Sequence, residues 1–209
     1  LDLRSSKGIL NIFDVDDTLF HTKARIKVIK DGEVIRFLSS SEYNDFKLGA
    51  GQSFDYSEFR CSKTFAETSK PIQPIVNTLI RHQKKVMRCP LSRTIIVTAR
   101  EDFNCRDTLV EFFQRHGIDI DNEVYVERSG NLSKQFKWST AESKKVVFDQ
   151  YLSTGVYHKV RLWDDAIGNI RALLELQSSY PEITFESNHV RFEGEQVCWD
   201  RYTRLEQLS

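Results

Sequence analysis

Residues 9–20, ILNIFDVDDTLF, set three carboxylates, Asp14, Asp16 and Asp17, within four positions directly behind a run of apolar residues. Ile9, Leu10, Ile12 and Phe13, bounded by polar residues, read as a strand buried on both faces of a parallel sheet. Acids at the end of such a strand stand at the mouth where open α/β sheets bind ligands. Side chains two apart on an extended chain share a face, so Asp14 and Asp16 are expected to project into one small site. Two carboxylates that close repel each other, and a divalent cation or a shared proton relieves the repulsion. A cap or a turn would account for one aspartate, not for three in four residues.

At 209 residues the chain suits one domain, or one domain with an insertion, with a real core. Thirty basic residues balance thirty acidic ones, so no long-range attraction to nucleic acid or to a membrane surface is expected. Cys61, Cys89, Cys105 and Cys198 show no metal-binding or disulfide spacing and read as scattered thiols of a reducing compartment. No apolar run approaches the ~20 residues that span a bilayer, and no signal peptide opens the chain, so the expectation is a cytoplasmic protein, in the host cytoplasm if it is viral. The opening Leu1, in place of Met, makes a missing leader a weaker sign than usual.

Behind the acids, residues 25–38 place Asp31-Gly32 between arms rich in Val and Ile, a hairpin signal because the tight turn needs positive φ at its centre. Residues 39–70 are polar but carry six aromatic side chains, Tyr43, Phe46, Phe54, Tyr56, Phe59 and Phe65, expected to pack onto the core and shape the site's entrance. The LGAG within them lacks the Lys-Ser/Thr ending of a phosphate loop. Pro71 and Pro74 open a helix over 75–85. Residues 93–100, RTIIVTAR, repeat the design of the first strand with Thr98 at the carboxyl end, completing a βαβ unit. An amphipathic helix is expected over 101–116, stopped by Gly117. A strand at 123–127, a polar loop at 129–138 and a helix over 139–153 follow. The fourth strand, 159–165, reads KVRLWDD and again ends in acids, with Trp163 in the core. A helix over 166–179, a fifth strand at 183–186 and a last hairpin at 189–198, turning at Glu193-Gly194, complete the chain.

DVDDTLF resembles motif I of the haloacid dehalogenase superfamily, Asp-x-Asp-x-Thr after a hydrophobic strand. VTARED and LWDD follow in that superfamily's order, and the resemblance covers nearly all the chain outside the insertion. It implies an α/β fold with a Rossmann-like parallel sheet of order 5-4-1-2-3 flanked by helices. Residues 1–20 and 70–209 would form the core, and residues 21–69 a flap hairpin and small cap inserted after strand 1. Asp17 stands where many relatives have glycine.

The activity implied is that of a Mg²⁺-dependent phosphomonoesterase working through an aspartyl-phosphate. Asp14 would be the nucleophile, Asp16 the acid and then the base, Thr98 a donor to a phosphoryl oxygen, and a lysine the fixed positive charge. Mg²⁺ would be held by Asp14, the Asp16 main-chain carbonyl and the Asp164-Asp165 pair. Lys144 is preferred to Lys145, because positions +3, +4 and +7 from it are Val147, Phe148 and Tyr151, whereas Lys145 is followed at +4 by Asp149. Asp165 is slightly preferred to Asp164 as ligand; Asn169, four residues on, would then share its face and hold a metal-bound water. Arg100, Arg128, Lys134 and Lys137 read as solvated surface charge, with substrate phosphate as the alternative. The five histidines form no spaced cluster, and only His21 lies near motif I.

The run also looks like small phage-encoded members of the superfamily, some grouped with nucleic-acid end-repair phosphatases. The implied substrate is a small phosphorylated molecule, with a nucleotide or polynucleotide end as candidate. The rivals are a catalytically retired structural or assembly module of a viral protein, and a phosphotransferase passing the phosphoryl group to an alcohol.

Overall fold

The computed structural model describes residues 7–86 and 88–208; the first six residues of the expected core segment lie outside them. The chain begins with β1 (Gly8–Phe13) and the two-residue β2 (Phe20–His21). An insertion follows, made of β3 (Ile26–Lys30), β4 (Glu33–Leu38), α1 (Ser40–Asp45), β5 (Gln52–Asp55), α2 (Ser57–Arg60) and α3 (Ser62–Thr68). The chain then returns through β6 (Lys70–Pro71), α4 (Gln73–Val86), β7 (Arg93–Thr98), α5 (Arg106–Arg115), β8 (Val124–Arg128), α6 (Gly130–Phe136) and α7 (Thr140–Leu152). It finishes with β9 (Tyr157–Asp164), α8 (Ile167–Leu174), β10 (Thr184–Glu193) and β11 (Gln196–Tyr202).

Six strands form the main sheet in the order β11-β10-β9-β1-β7-β8. The five parallel strands follow the expected 5-4-1-2-3 arrangement, and β11 adds an antiparallel edge beside β10. β1 is central and buried on both faces, as its apolar run requires. Phe13 packs with Ile75, Leu79 and Phe113 on one side, while Leu10 and Ile12 pack with Phe148, Ile170 and Leu173 on the other. The two clusters are the two layers of helix over the sheet.

Four sequence expectations are corrected. Residues 129–138 are not a loop, because α6 occupies Gly130–Phe136. No apolar stripe announces it; Ser129 ties its start by donating both its N–H and its hydroxyl to the Thr98 carbonyl, at 2.9 Å each. Glycine is needed at 130, where a Cβ would lie 2.2 Å from the Ala99 carbonyl oxygen. The helix expected from 101 starts only at Arg106, because the insertion holds the preceding residues. The Asn104 N–H donates to the Arg60 carbonyl (2.9 Å), and the Cys105 N–H to the Ser62 hydroxyl (3.0 Å). The helix expected to 179 ends as α-helix at Leu174 and tightens to a 3₁₀ turn over Glu175–Ser178. Finally, the fifth strand and the first arm of the last hairpin are one strand, β10. Its central Ser187 and Asn188 interrupt the apolar pattern yet are buried, Asn188 donating to the Leu162 carbonyl at 3.1 Å.

The insertion's sheet, β4-β3-β5, turns at Asp31 and Gly32, both at positive φ, as the Asp-Gly signal requires. Its aromatic side chains mostly serve themselves. Tyr43, Phe46, Phe54 and Tyr56 pack around Ile26, Val28 and Leu38, whereas Phe65 alone of the six belongs to the main core. At the insertion's base β2 pairs with β6, and Phe20 meets Phe65 and Phe112 edge-on or tilted. Among the described residues no helix is long and apolar enough to cross a membrane, and all four cysteines are free.

Candidate active site

Register brings three strand ends to one rim. Phe13 lies level with Ile96 of β7 and Trp163 of β9, so Asp14, Thr98 and Asp164 emerge together within a residue or two of that line. The Asp14 N–H continues the ladder by donating to the Trp163 carbonyl (3.0 Å). The chain then turns sharply: the N–H groups of Leu19 and Phe20 both converge on the Val15 carbonyl, at 3.0 Å each. Asp17 takes a φ of 56° in that turn, a left-handed conformation free of strain for glycine and better tolerated by aspartate than by most residues. Extended geometry therefore stops at Asp14. The side chains of Asp14 and Asp16 take different partners, although both line one cavity.

Lys144 is the hub of the rim. Its Nζ donates to Asp14 Oδ1 at 2.6 Å and to Asp164 Oδ2 at 2.7 Å, and the side chain is 1% exposed. The start of α7 is fixed by Ser139 and Glu142, which cap each other's main chain, and Val147 and Phe148 seat the helix on the core. Lys145 points away to the exposed Glu175 (2.6 Å). Burial disfavours the Lys144 charge, but Asp14 and Asp164 outweigh it and hold the pKa above the usual lysine value. Burial pushes the Asp14 carboxyl up to about 7, against the pull of Lys144 and with repulsion from Asp164 and Asp16 adding to the rise.

The two consecutive acids at the end of β9 differ. Asp164 is saturated: beyond Lys144 it accepts from the Ala166 N–H (2.9 Å) and from Asn169 Nδ2 (2.9 and 3.1 Å). Asn169 thus orients Asp164, and it lines the same cavity as Asp165. The Asp165 carboxylate has no hydrogen-bond partner among the described residues and lines the cavity. Burial, and then repulsion from Asp164, Asp14 and Asp17, raise its pKa well above the carboxylate range. Asp14, Asp164 and Asp165 each present an oxygen within 4.8 Å of the others. Three such acids around one lysine repel one another in a largely buried, all-oxygen donor set, and a hard metal ion would relieve that repulsion and hold them ionised.

Arg100 is not a surface charge. It is 2% exposed and grips Asp16 with Nε (2.9 Å) and Nη2 (2.6 Å). Its Nη1 donates to the Phe59 carbonyl (2.8 Å) and its Nη2 also to Thr22 (3.1 Å), while the rings of Phe59 and Phe65 lie 4.6 and 4.7 Å from the guanidinium. These partners come from the insertion and are invisible to local pattern. Arg128, Lys134 and Lys137 are exposed as expected. Thr98 is fully buried and its hydroxyl accepts the Arg100 N–H (3.2 Å), which leaves its own proton to donate. His21 reaches Asp17 at 3.1 Å.

Above the rim opens a cavity of about 470 Å³, floored by Asp14, Lys144 and Asp165 and walled partly by insertion residues such as Tyr43 and Tyr56. Trp138 also lines it and was hidden within the supposed loop; a large aromatic in so polar a run was the only signal available. No family model and no curated protein matches the chain.

Proposed function

We propose that the protein is a Mg²⁺-dependent phosphomonoesterase of the haloacid dehalogenase type. The observation that carries the reading is Lys144 clasped between Asp14 and Asp164, with the unpartnered Asp165 beside them at the mouth of a parallel sheet. The oxygen of Asp14 that Lys144 does not hold attacks phosphorus; the bond to the ester oxygen breaks, and the leaving alkoxide takes a proton from Asp16. Water then attacks the aspartyl-phosphate, Asp16 takes the proton back, and inorganic phosphate leaves Asp14 free. Lys144 and the Thr98 hydroxyl stabilise charge on nucleophile and phosphoryl oxygens, and Arg100 aims Asp16. Mg²⁺, held by Asp14, Asp165 and the Asp16 main-chain carbonyl, would supply charge neutralisation at the phosphoryl group, with Asp164 locking Lys144. The cavity's volume falls in the range of small-molecule sites.

The test is phosphate release from a panel of phosphorylated metabolites, nucleotides and 3′- or 5′-phosphorylated oligonucleotides, with and without Mg²⁺, using Asp14→Asn protein as blank. Metal-dependent release by the natural protein alone is expected. Folded protein inert across the panel would favour the retired assembly module.

A further inference from the structure

The cavity combines two kinds of lining. Asp14, Lys144 and Asp165 bring charge to it, whereas Tyr43, Tyr56 and Phe59 from the insertion and Trp138 from the core bring rings. Trp138 is 38% exposed, stacked on one side by Phe136 with ring centroids 4.5 Å apart. Several polar groups of the lining are engaged with one another. The Tyr43 and Tyr56 hydroxyls bond each other (2.9 Å), and two cations of the lining, Arg60 and Lys134, both reach Glu101, at 3.7 and 3.0 Å. The rings offer a stacking surface, which favours a planar, apolar-faced group. Arg100 lines the same cavity, bonded to Asp16 and 4.6 Å from the Phe59 ring, so the acids and the ring surface meet around one guanidinium.

We propose that the aromatic wall is a nucleobase subsite and that the substrate is a nucleoside monophosphate, its base against Trp138 and Tyr56 and its phosphate at Asp14. The assignment rests on the phosphatase reading for its chemistry but not for its binding. Phenyl phosphate carries a ring without sugar or base, and ribose 5-phosphate the sugar without a base, so the two serve as controls.

The experiment compares AMP with ribose 5-phosphate and phenyl phosphate, by kcat/KM with Mg²⁺ and by quenching of tryptophan fluorescence. AMP is expected to exceed both in kcat/KM by on the order of tenfold to a hundredfold, the scale of one stacked base. That preference should collapse toward unity in Trp138→Ala, mainly through KM. Tyr56→Leu provides the same test should Trp138→Ala fail to fold. Absence of turnover with tighter quenching by AMP than by ribose 5-phosphate would overturn the phosphatase reading and leave the subsite standing. Equal kcat/KM and equal quenching for the three, or phenyl phosphate matching AMP, would overturn the nucleobase assignment.

Discussion

At the rim of the parallel sheet polar side chains hold one another in fixed directions: Lys144 between two acids, Asn169 on Asp164, Arg100 on Asp16. In the insertion rings pack on rings, and β4 leaves Val34, Ile35 and Phe37 between 45 and 50% exposed. The rim is seated between two extensive layers of buried side chains; the insertion has a smaller cluster of its own. Interlocked charge in the rim and ring surface from the insertion are what the proposed chemistry and the proposed recognition would each draw on.

That contrast predicts where substitution hurts. Lys144→Ala should have the largest effect, because it leaves Asp14 and Asp164 buried without their cation: roughly 3–5 kcal/mol of stability in urea unfolding, and on the order of a hundredfold to a thousandfold in phosphate release. Arg100→Ala should come next, at about 3 kcal/mol, since the exposed edge of Asp16 lets water recover part of the loss. Arg100→Lys should restore less than half of it, because an ammonium keeps the charge but neither the two-point grip nor the stacking on Phe59 and Phe65.

The rim and the insertion's first hairpin were legible in the sequence and the rest of the insertion was not, for a physical reason. Asp14, Thr98 and Asp164 each end an apolar run long enough to be read as a buried strand, so their convergence followed from strand order. Lys144 followed from the apolar positions after it on α7. What escaped was set by contacts between distant segments. Arg100 is buried by Phe59 and Thr22, some 40 and 78 positions away, and Asn104 is drawn out of a helix by Ser62. α6 depends on Ser129 reaching the end of β7. None of these leaves a local period. The insertion's rings showed that aromatic surface was present, but not that most of it packs on its own sheet.

Two further substitutions sharpen the contrast at smaller scale. Mg²⁺ at a hundredfold excess over its Kd should stabilise the natural protein by about 2.7 kcal/mol, read as a rise in Tm. Asp165→Asn should instead raise the Tm of metal-free protein, by removing one of three repelling acids, and abolish most of the Mg²⁺-dependent rise. Phe37→Ser on β4 should change urea stability by no more than about 0.5 kcal/mol. A cost of several kcal/mol there would mean that the insertion is as tightly built as the rim.

The most direct measurement is a search for the covalent intermediate: acid-quenched protein, taken during turnover of a phosphate monoester with Mg²⁺ and digested for mass spectrometry. A phosphoryl adduct on the peptide carrying Asp14, absent from Asp14→Asn protein, is the result expected of this rim. Steady turnover with no adduct at Asp14, or the same turnover by the Asp14→Asn protein, would contradict it.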